Sequence, residues 1–292
     1  MGLAAEDRPD AGDGKLSILL TNDDGIEDYE RRLLPLARAF AAFARVTVLV
    51  SSLDRSGSSH YTSCGATKRV LESTLVRSID GEDGAGPIEV HSVEGYPGDC
   101  VYLGVCGILR HDPPDVVVSG LNGGPNLGGG WLHSGTIGAA RIGAVLGLPA
   151  VAVSGVDFSR DDDIGRIARW LALFIRTPAV RELEAGQYLT VGIPRGRLDE
   201  IRGLRVATRS PSLTGLVFEP ADPFRDRPGS PRRTAWLMQL PAEIAEPAPG
   251  SDIDAYRRGF IVVTPMRADE HDVDVLSAWA DRAPELPAWE SP

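Results

Sequence analysis

Short apolar runs rich in β-branched residues alternate with segments of helical spacing over the first two thirds of the chain. LSILL at 16–20 and VTVLV at 46–50 enclose an alanine- and leucine-rich segment at 31–45, and together they predict a strand–helix–strand unit. The order then repeats, with strands predicted at 114–119, 150–154 and 188–193 and helices at 137–146 and 164–175. Uninterrupted apolar strands separated by helices are typical of parallel sheets covered on both faces. The pattern therefore predicts an α/β fold with a mainly parallel sheet.

The pattern changes after about residue 194. Strand-like segments at 204–208, 235–240 and 259–264 are spaced by a proline- and arginine-rich stretch at 211–233, which predicts long hairpins beside the core. Such segments do not bury themselves well in isolation, so we expect them to pack on a second subunit. We divide the chain into a disordered tail at 1–15, a catalytic core at 16–195 and a C-terminal hairpin and oligomerisation region at 196–292.

Charge and cysteine content narrow the function classes. The chain has 30 lysines and arginines against 41 acidic residues, a net charge of −11, which disfavours general binding of nucleic acid polymers. A small anionic substrate remains compatible, because a local cation or a helix N-terminus outweighs a distant mean charge. Three cysteines are too few for a disulfide framework and favour a cytoplasmic location. We expect no signal peptide and no membrane anchor, since no apolar run reaches about 18 residues.

Two adjacent aspartates follow the first predicted strand, in the sequence Asn22–Gly25. The carboxyl ends of parallel strands border the ligand crevice of a doubly wound sheet, so Asp23 and Asp24 are expected to face bound small molecules. Their charges repel, and a divalent cation would let both stay ionised. Helix capping with a turn at Gly25 is the alternative interpretation.

Two further loops leave the same predicted sheet edge. Ser56, after the second strand, offers a hydroxyl that either ligates a hard cation or caps a helix. The glycine-rich segment at 119–130 follows the third strand and carries Asn122 and Asn126. Its glycines let backbone approach a ligand closely, and its amides offer oxygens and donors, although a flexible linker has similar composition.

A fourth loop opens the helix predicted at 137–146. Ser134, Gly135 and Thr136 offer hydroxyls, close backbone approach and the outward-pointing amides of a helix N-terminus, a combination suited to phosphate. Plain N-capping by Ser134 or Thr136 accounts for the same residues. His133 is expected at the rim, neither base nor ligand. Oxygen donors without histidine or cysteine suit Mg²⁺ or Mn²⁺ and argue against zinc.

These motifs together carry a family resemblance. Asn22–Gly25, Ser56–Gly57, 119–128 and Ser134–Thr136 are joined by Pro97–Val101 and by Gly259–Pro265, where Phe260 replaces a usual tyrosine. In that order, from about residue 16 to residue 280, the chain resembles the SurE (survival protein E) family of metal-dependent 5′/3′-nucleotidases.

The resemblance implies a fold, a reaction and a set of site residues. It implies a SurE-like, Rossmann-type three-layer α/β/α fold, and a homodimer or homotetramer in which C-terminal segments are exchanged. The expected reaction is hydrolysis of nucleoside monophosphates to nucleoside and phosphate, with one Mg²⁺ or Mn²⁺ per subunit. Asp23 is expected to orient or deprotonate the attacking water, and a covalent aspartyl-phosphate is the alternative. The implied metal ligands are Asp23, Asp24, Ser56 and Asn122, and the implied phosphate contacts are Asn126, Ser134, Gly135 and Thr136.

Several residues depart from the family pattern, and we expect them at the rim of the site. These departures put the substrate preference in doubt more than the reaction, and the preferred base and the choice between 5′ and 3′ phosphate stay open. The departing positions are Glu27, Asp28, Tyr29, Tyr96, Gly130 and His133.

Two alternative functions remain. One is a phosphatase for another small phosphate ester or short polyphosphate, and the other is a noncatalytic nucleotide-binding sensor. A Rossmann dehydrogenase is disfavoured, because the loop after the first strand has only Gly25 and so lacks the Gly-x-Gly-x-x-Gly spacing.

Overall fold

A nine-stranded sheet carries most of the strands in the computed structural model, which describes residues 15–65, 69–81, 84–156, 161–211, 217–221, 235–239 and 246–269. The strands are β1 Leu16–Thr21, β2 Ala44–Ser51, β3 Ser73–Ile79, β4 Ile88–Val93, β5 Val116–Asn122, β6 Ala150–Ser154, β7 Gln187–Gly192, β8 Leu204–Val206, β9 Val217–Ala221, β10 Ala235–Gln239 and β11 Ile261–Arg267.

The strand order in the sheet is β3-β4-β2-β1-β5-β6-β7-β11-β8. The six strands from β4 to β7 pair in parallel. β3 and β11 run antiparallel to β4 and β7, and β8 pairs in parallel with β11. β9 and β10 form a separate antiparallel pair. The predicted α/β fold with a mainly parallel sheet is confirmed.

Helices cover both faces of this sheet. Successive residues of a strand point to opposite faces, so Ile18 and Leu20 of β1 join one apolar cluster and Leu19 joins the other. The first cluster includes residues of α2 and α5, and the second includes residues of α3 and α4. The helices are α1 Tyr29–Arg32, α2 Leu34–Ala41, α3 Pro97–Leu103, α4 Gly135–Val145, α5 Asp161–Phe174, α6 Pro178–Arg181 and α7 Asp252–Arg257.

One predicted helix is wrong in its extent. The segment at 31–45 forms two short helices, α1 and α2, followed by the start of β2. Pro35 lies in the first turn of α2, where its missing N–H is tolerated at the start of a helix but not in the interior. The other two predicted helices match α4 and α5, and the five strands predicted in the core match β1, β2, β5, β6 and β7, with ends shifted by a few residues.

The C-terminal region contributes to the central sheet. β11 overlaps the strand predicted at 259–264, beginning two residues later, and it lies between β7 and β8, so strands on both sides of the predicted boundary at 195 share one sheet. The boundary itself stays a prediction. Residues 1–14, most of 211–233 and 270–292 lie outside the described residues, and the tail and segment exchange predicted there are untested. In the described part of the chain, every helix is too short or too polar to cross a membrane.

Candidate functional site

The loops that leave β1, β2 and β5 enclose a cavity of about 390 Å³ with the start of α4. β1 lies between β2 and β5, so parallel pairing brings the carboxyl ends of these three strands to one edge. Gly135 and Thr136 lie directly beside the cavity, against Asp23. The predicted site residues that line it are Asp23, Asp24, Ser56, Asn122, Asn126 and Ser134.

Gly25 lets the first two loops meet. Its φ is +84°, in the left-handed region, and a Cβ there would lie 2.7 Å from the carbonyl carbon of Leu53. The N–H of Arg55 donates to the carbonyl oxygen of Asp23 at 2.7 Å. These contacts hold the loop after β2, with Ser56, against the two aspartates.

Asp23 is buried and held by the first turn of α4. Its side chain accepts a hydrogen bond from the hydroxyl of the buried Thr136 at Oδ1. Burial raises the pKa of Asp23, while the hydroxyl and backbone N–H of Thr136 lower it. A Cβ on Gly135 would lie 2.9 Å from Oδ2 of Asp23, so the helix approaches this carboxylate as closely as a glycine allows. The Thr136 hydroxyl already donates its proton to Asp23. The predicted contact between Thr136 and phosphate stays a prediction.

Asp24 is the second carboxylate of the cavity. Its Oδ2 lies 3.1 Å from Nη1 of Arg32 and accepts a hydrogen bond from the side-chain amide of Asn22 at 3.3 Å. Burial raises the pKa of Asp24 to about 7, the Arg32 guanidinium opposes that rise, and the charges of Asp23 and Asp54 add to it. The cavity thus concentrates negative charge that a bound cation would offset.

Ser56 and Asn122 are the other two predicted metal ligands. Each donates its side-chain hydrogen to a neighbouring protein group, and this leaves an oxygen that can bind a cation. The hydroxyl of Ser56 donates to Oδ1 of Asp54 at 2.7 Å, which leaves its lone pairs available. The amide nitrogen of Asn122 donates to the carbonyl oxygen of Gly124 at 2.7 Å, so Oδ1 is the free end of that amide. Among the described residues, no group of three or more histidine, cysteine, aspartate or glutamate side chains is gathered for a metal. The donor set is therefore two carboxylates with a hydroxyl and an amide oxygen, and it fits Mg²⁺ or Mn²⁺.

Asn126 and Ser134, two of the predicted phosphate contacts, line the cavity. The Ser134 hydroxyl caps α4 by accepting from the N–H of Ile137 at 3.0 Å, as the capping alternative predicted, and Ser134 also lines the cavity. The side-chain Nδ2 of Asn126 is buried and has no hydrogen-bond partner among the described residues. A buried donor without a partner costs stability, and an anionic oxygen in the cavity would satisfy it.

A buried ion pair that the sequence pattern did not indicate supports the glycine-rich loop. Asp252 accepts hydrogen bonds from the N–H groups of Gly128 at 2.9 Å and Ser210 at 2.8 Å. Arg209, 3.5 Å from Asp252, donates to the carbonyl oxygens of Asn126 at 3.0 Å and Gly128 at 3.3 Å. We call Arg209 and Asp252 the loop brace. Its contacts join segments far apart in sequence, and no local motif announces them.

The rim departures separate into two groups. Gly130 and His133 line the cavity directly. Tyr96 is not among the residues that line the cavity. The centroid of its ring lies 4.4 Å from the ring centroid of Tyr61 and 4.4 Å from the guanidinium carbon of Arg55. Asp28 lies 3.2 Å from Nε of Arg32, so this departure acts on the arginine that holds Asp24.

The chain is similar over most of its length to proteins of one family. The family model "Survival protein SurE" matches residues 18–213. The 5′/3′-nucleotidase SurE of Klebsiella pneumoniae is 36% identical over 273 residues, which cover 91% of this chain and 97% of the relative. The 5′/3′-nucleotidase SurE of Cronobacter sakazakii is 35% identical, with 92% and 98% covered. The crystal structure of the SurE protein from Aquifex aeolicus superposes with a TM-score of 0.69 at 27% identity, covering 90% of this chain and 97% of that one. The chain belongs to the survival protein SurE family.

Proposed function

We propose that the protein is a metal-dependent phosphomonoesterase of the 5′/3′-nucleotidase type, which hydrolyses nucleoside monophosphates to nucleoside and inorganic phosphate. The observation that carries the proposal is the single cavity that gathers Asp23, Asp24, Ser56, Asn122, Asn126 and Ser134. Curated relatives about a third identical over nine tenths of the chain are named as nucleotidases, which supports the same reaction here.

Asp23, Asp24, Ser56 and Asn122 would hold one divalent cation per chain, Mg²⁺ or Mn²⁺. Bound there, the ion would polarise the phosphoryl oxygens and lower the pKa of a water molecule. Arg32 limits the excess of negative charge by its ion pair with Asp24.

The chain's own residues would bind the phosphate and direct the water. The Nδ2 group of Asn126 and the backbone of Ser134 and Gly135 would hold phosphate oxygens at the positive end of α4. Asp23, fixed by Thr136, would orient the water and accept its proton while the water oxygen bonds to phosphorus and the ester P–O bond breaks. The leaving alkoxide takes up a proton from solvent and departs as the nucleoside, and Asp23 returns the proton it accepted to solvent. In the alternative route, Asp23 itself attacks phosphorus, and acid-quenched enzyme would then carry label from a ³²P-labelled substrate.

Assembly through the C-terminal region is part of the proposal. An isolated two-stranded sheet is marginally stable, yet β9 and β10 expose Phe218, Trp236 and Leu237 by half or more of their surface. A second copy of the chain would cover these exposed side chains, which supports a homodimer or homotetramer. The free thiols of Cys64, Cys100 and Cys106 support a cytoplasmic location, and we propose no membrane or nucleic acid polymer as partner.

Phosphate release from a panel of nucleoside 5′- and 3′-monophosphates, with Mn²⁺, Mg²⁺ or EDTA, tests the proposal. We expect multiple turnovers with metal and none with EDTA. A nucleotide that binds without turnover would favour the sensor alternative. Preference for a non-nucleotide phosphate ester or short polyphosphate in the same panel would favour the other enzyme, and Gly130 and His133 are the cavity residues through which such a preference would arise.

A further inference from the structure

A second cavity, of about 450 Å³, adjoins the first through the glycine-rich loop. Pro125 lines this second cavity, while its neighbours Gly124 and Asn126 line the cavity that holds Asp23 and Asp24, which we call the catalytic cavity. Two stretches of chain that are distant in sequence, after β7 and at the end of α7, complete it. They contribute the arginines Arg195, Arg197, Arg202, Arg257 and Arg258, and we call the space the arginine cavity.

Positive charge in the arginine cavity exceeds what its acidic neighbours offset. Glu200 is the one carboxylate among the described lining residues. Arg197 and Arg258 form exposed ion pairs with Asp199 at 3.6 Å and Asp254 at 3.4 Å, and such pairs are weak. Within the described part of the chain, Arg195 and Arg202 form no ion pair. This is a concentrated positive field in a chain of net charge −11.

The cavity is also organised more than a solvated basic surface would be. The guanidinium carbons of Arg202 and Arg258 lie 5.3 Å and 5.7 Å from the centroid of the buried Phe260 ring. Stacking on a ring fixes a guanidinium and lowers the entropy lost when it binds an anion. Tyr256 lines the same space, and burial raises the pKa of its phenol, so the hydroxyl stays protonated and able to donate.

We propose that the arginine cavity binds a phosphate group distinct from the ester phosphate that is hydrolysed in the catalytic cavity. Guanidinium groups match the geometry of phosphate oxygens and hold them by paired hydrogen bonds. The ligand class is a phosphate anion, either inorganic phosphate or the second phosphate of a nucleotide that carries more than one. This inference goes beyond the proposed function, which needs only the first cavity.

Arg195 connects the two cavities. Its Nη2 donates to the carbonyl oxygen of Gly123 at 2.7 Å, and Gly123 lines the catalytic cavity beside Asn122. A phosphate group in the arginine cavity would compete for the Arg195 guanidinium and so alter its hold on the loop. Occupancy of the second site therefore affects how the first binds substrate.

Direct phosphate binding tests the site. We compare the Arg202→Gln/Arg257→Gln double variant with a control, Arg38→Gln/Arg181→Gln, which removes the same charge from exposed positions on α2 and α6. Equilibrium dialysis against ³²P-labelled inorganic phosphate is done in EDTA, so that no hydrolysis is required. We expect the first variant to bind one phosphate fewer per chain, or to bind at that site about tenfold more weakly or worse, since each lost charged hydrogen bond is worth tenfold or more. The control keeps wild-type binding.

Equal binding by the two double variants would overturn the proposal. So would a change of molar mass by light scattering in the first variant with phosphate binding unchanged, because the arginines would then form a contact between copies. Arg202→Lys, which keeps the charge and loses the paired geometry, gives an intermediate affinity if the guanidinium contacts phosphate. Melting curves of all variants check that each is folded.

Kinetics with Mn²⁺ identify the source of the phosphate. If it is a second phosphate of the substrate, the KM for a nucleoside 3′,5′-bisphosphate rises in the first double variant while the KM for a monophosphate does not. If it is free phosphate, added inorganic phosphate changes the kcat for a monophosphate in the wild type and in the control but not in the first double variant. Simple competition at the catalytic cavity would change only the apparent KM. Absence of nucleotidase activity in the wild type would contradict the proposed function and leave the binding result in EDTA unaffected.

Discussion

The hydroxyl of Thr136 donates a hydrogen bond to Oδ1 of Asp23 across 113 positions of sequence. Both side chains are buried, and Gly135 packs against the other carboxylate oxygen. The start of α4 therefore fixes the orientation of the carboxylate proposed to direct water.

Thr136→Val removes that donor and preserves the size of the side chain. We expect kcat to fall about tenfold or more, because a hydrogen bond to a charged group contributes about 1.5–3 kcal/mol. Thr136→Ser keeps the hydroxyl and should restore most of kcat. Equal kinetics for the valine and serine variants would mean that the hydroxyl has no positioning role.

Asp23→Asn separates a metal site from a helix cap. Burial raises the pKa of Asp23, so the ionised carboxylate is disfavoured in the folded chain at pH values above its ordinary pKa. In EDTA at pH 8 the variant should therefore melt at an equal or higher temperature than the wild type, and Mn²⁺ should stabilise it less. Phosphatase activity should drop about 100-fold or more.

The capping alternative predicts otherwise for this variant. Asparagine caps helices about as well as aspartate, so melting, metal response and activity would all stay near wild type. An active Asp23→Asn protein with an unchanged Mn²⁺-induced shift would remove Asp23 from the proposed machinery.

Gly135→Ala tests the close approach of α4 to the site. A Cβ there would lie 2.8 Å from Oγ of Ser58 and 2.9 Å from Oδ2 of Asp23, so these groups must move. Alanine favours helix, and we expect the fold to persist while KM rises and kcat falls. Gly165→Ala in α5, outside the cavity, is the matched control, because a Cβ on this helical glycine meets only the end of the Arg169 side chain, at 3.4 Å. Comparable kinetic losses in both variants would contradict the steric explanation.

Asp252→Asn tests the loop brace. The variant leaves the Arg209 charge without its buried partner, and the expected loss is about 3–5 kcal/mol in the free energy of unfolding. Below the melting transition, KM should rise because the loop that carries Asn126 loses its support. Asp254 also lies in α7, and Asp254→Asn breaks its exposed ion pair with Arg258, so this variant should cost at most about 1 kcal/mol. Denaturant unfolding measures the stability of both variants. Arg209→Lys retains the positive charge opposite Asp252, so it should lose less stability than Asp252→Asn.

The exposed apolar side chains of β9 and β10 give a prediction about assembly. We expect light scattering to give a dimer or larger species, and Trp236→Glu to shift the population toward monomer, because a charge disfavours burial at the contact. A species of 31.2 kDa at micromolar concentration in the wild type would refute the proposed assembly.

Motif spacing was sufficient to predict the cavity because three of its loops directly follow parallel strands. Local sequence places Asp23, Ser56 and Asn122 at strand ends, and the geometry of a parallel sheet then brings them together. The loop brace could not be found in this way, since Gly128 and Asp252 are 124 positions apart and their contact depends on tertiary packing. The error in the helix at 31–45 has a local origin, because alanine and leucine content outweighed Pro35 in the prediction.

The insertion of β1 between β2 and β5 has a consequence for biosynthesis. When β1 and β2 have left the ribosome, one hydrogen-bonding edge of β1 stays uncovered until the chain as far as Val116–Asn122 has been made. Pairing at such separation is slow, and uncovered strand edges promote aggregation. The nascent chain therefore passes through an interval in which the strand that ends in the site is open to aggregation, and truncation before β5 should yield insoluble protein.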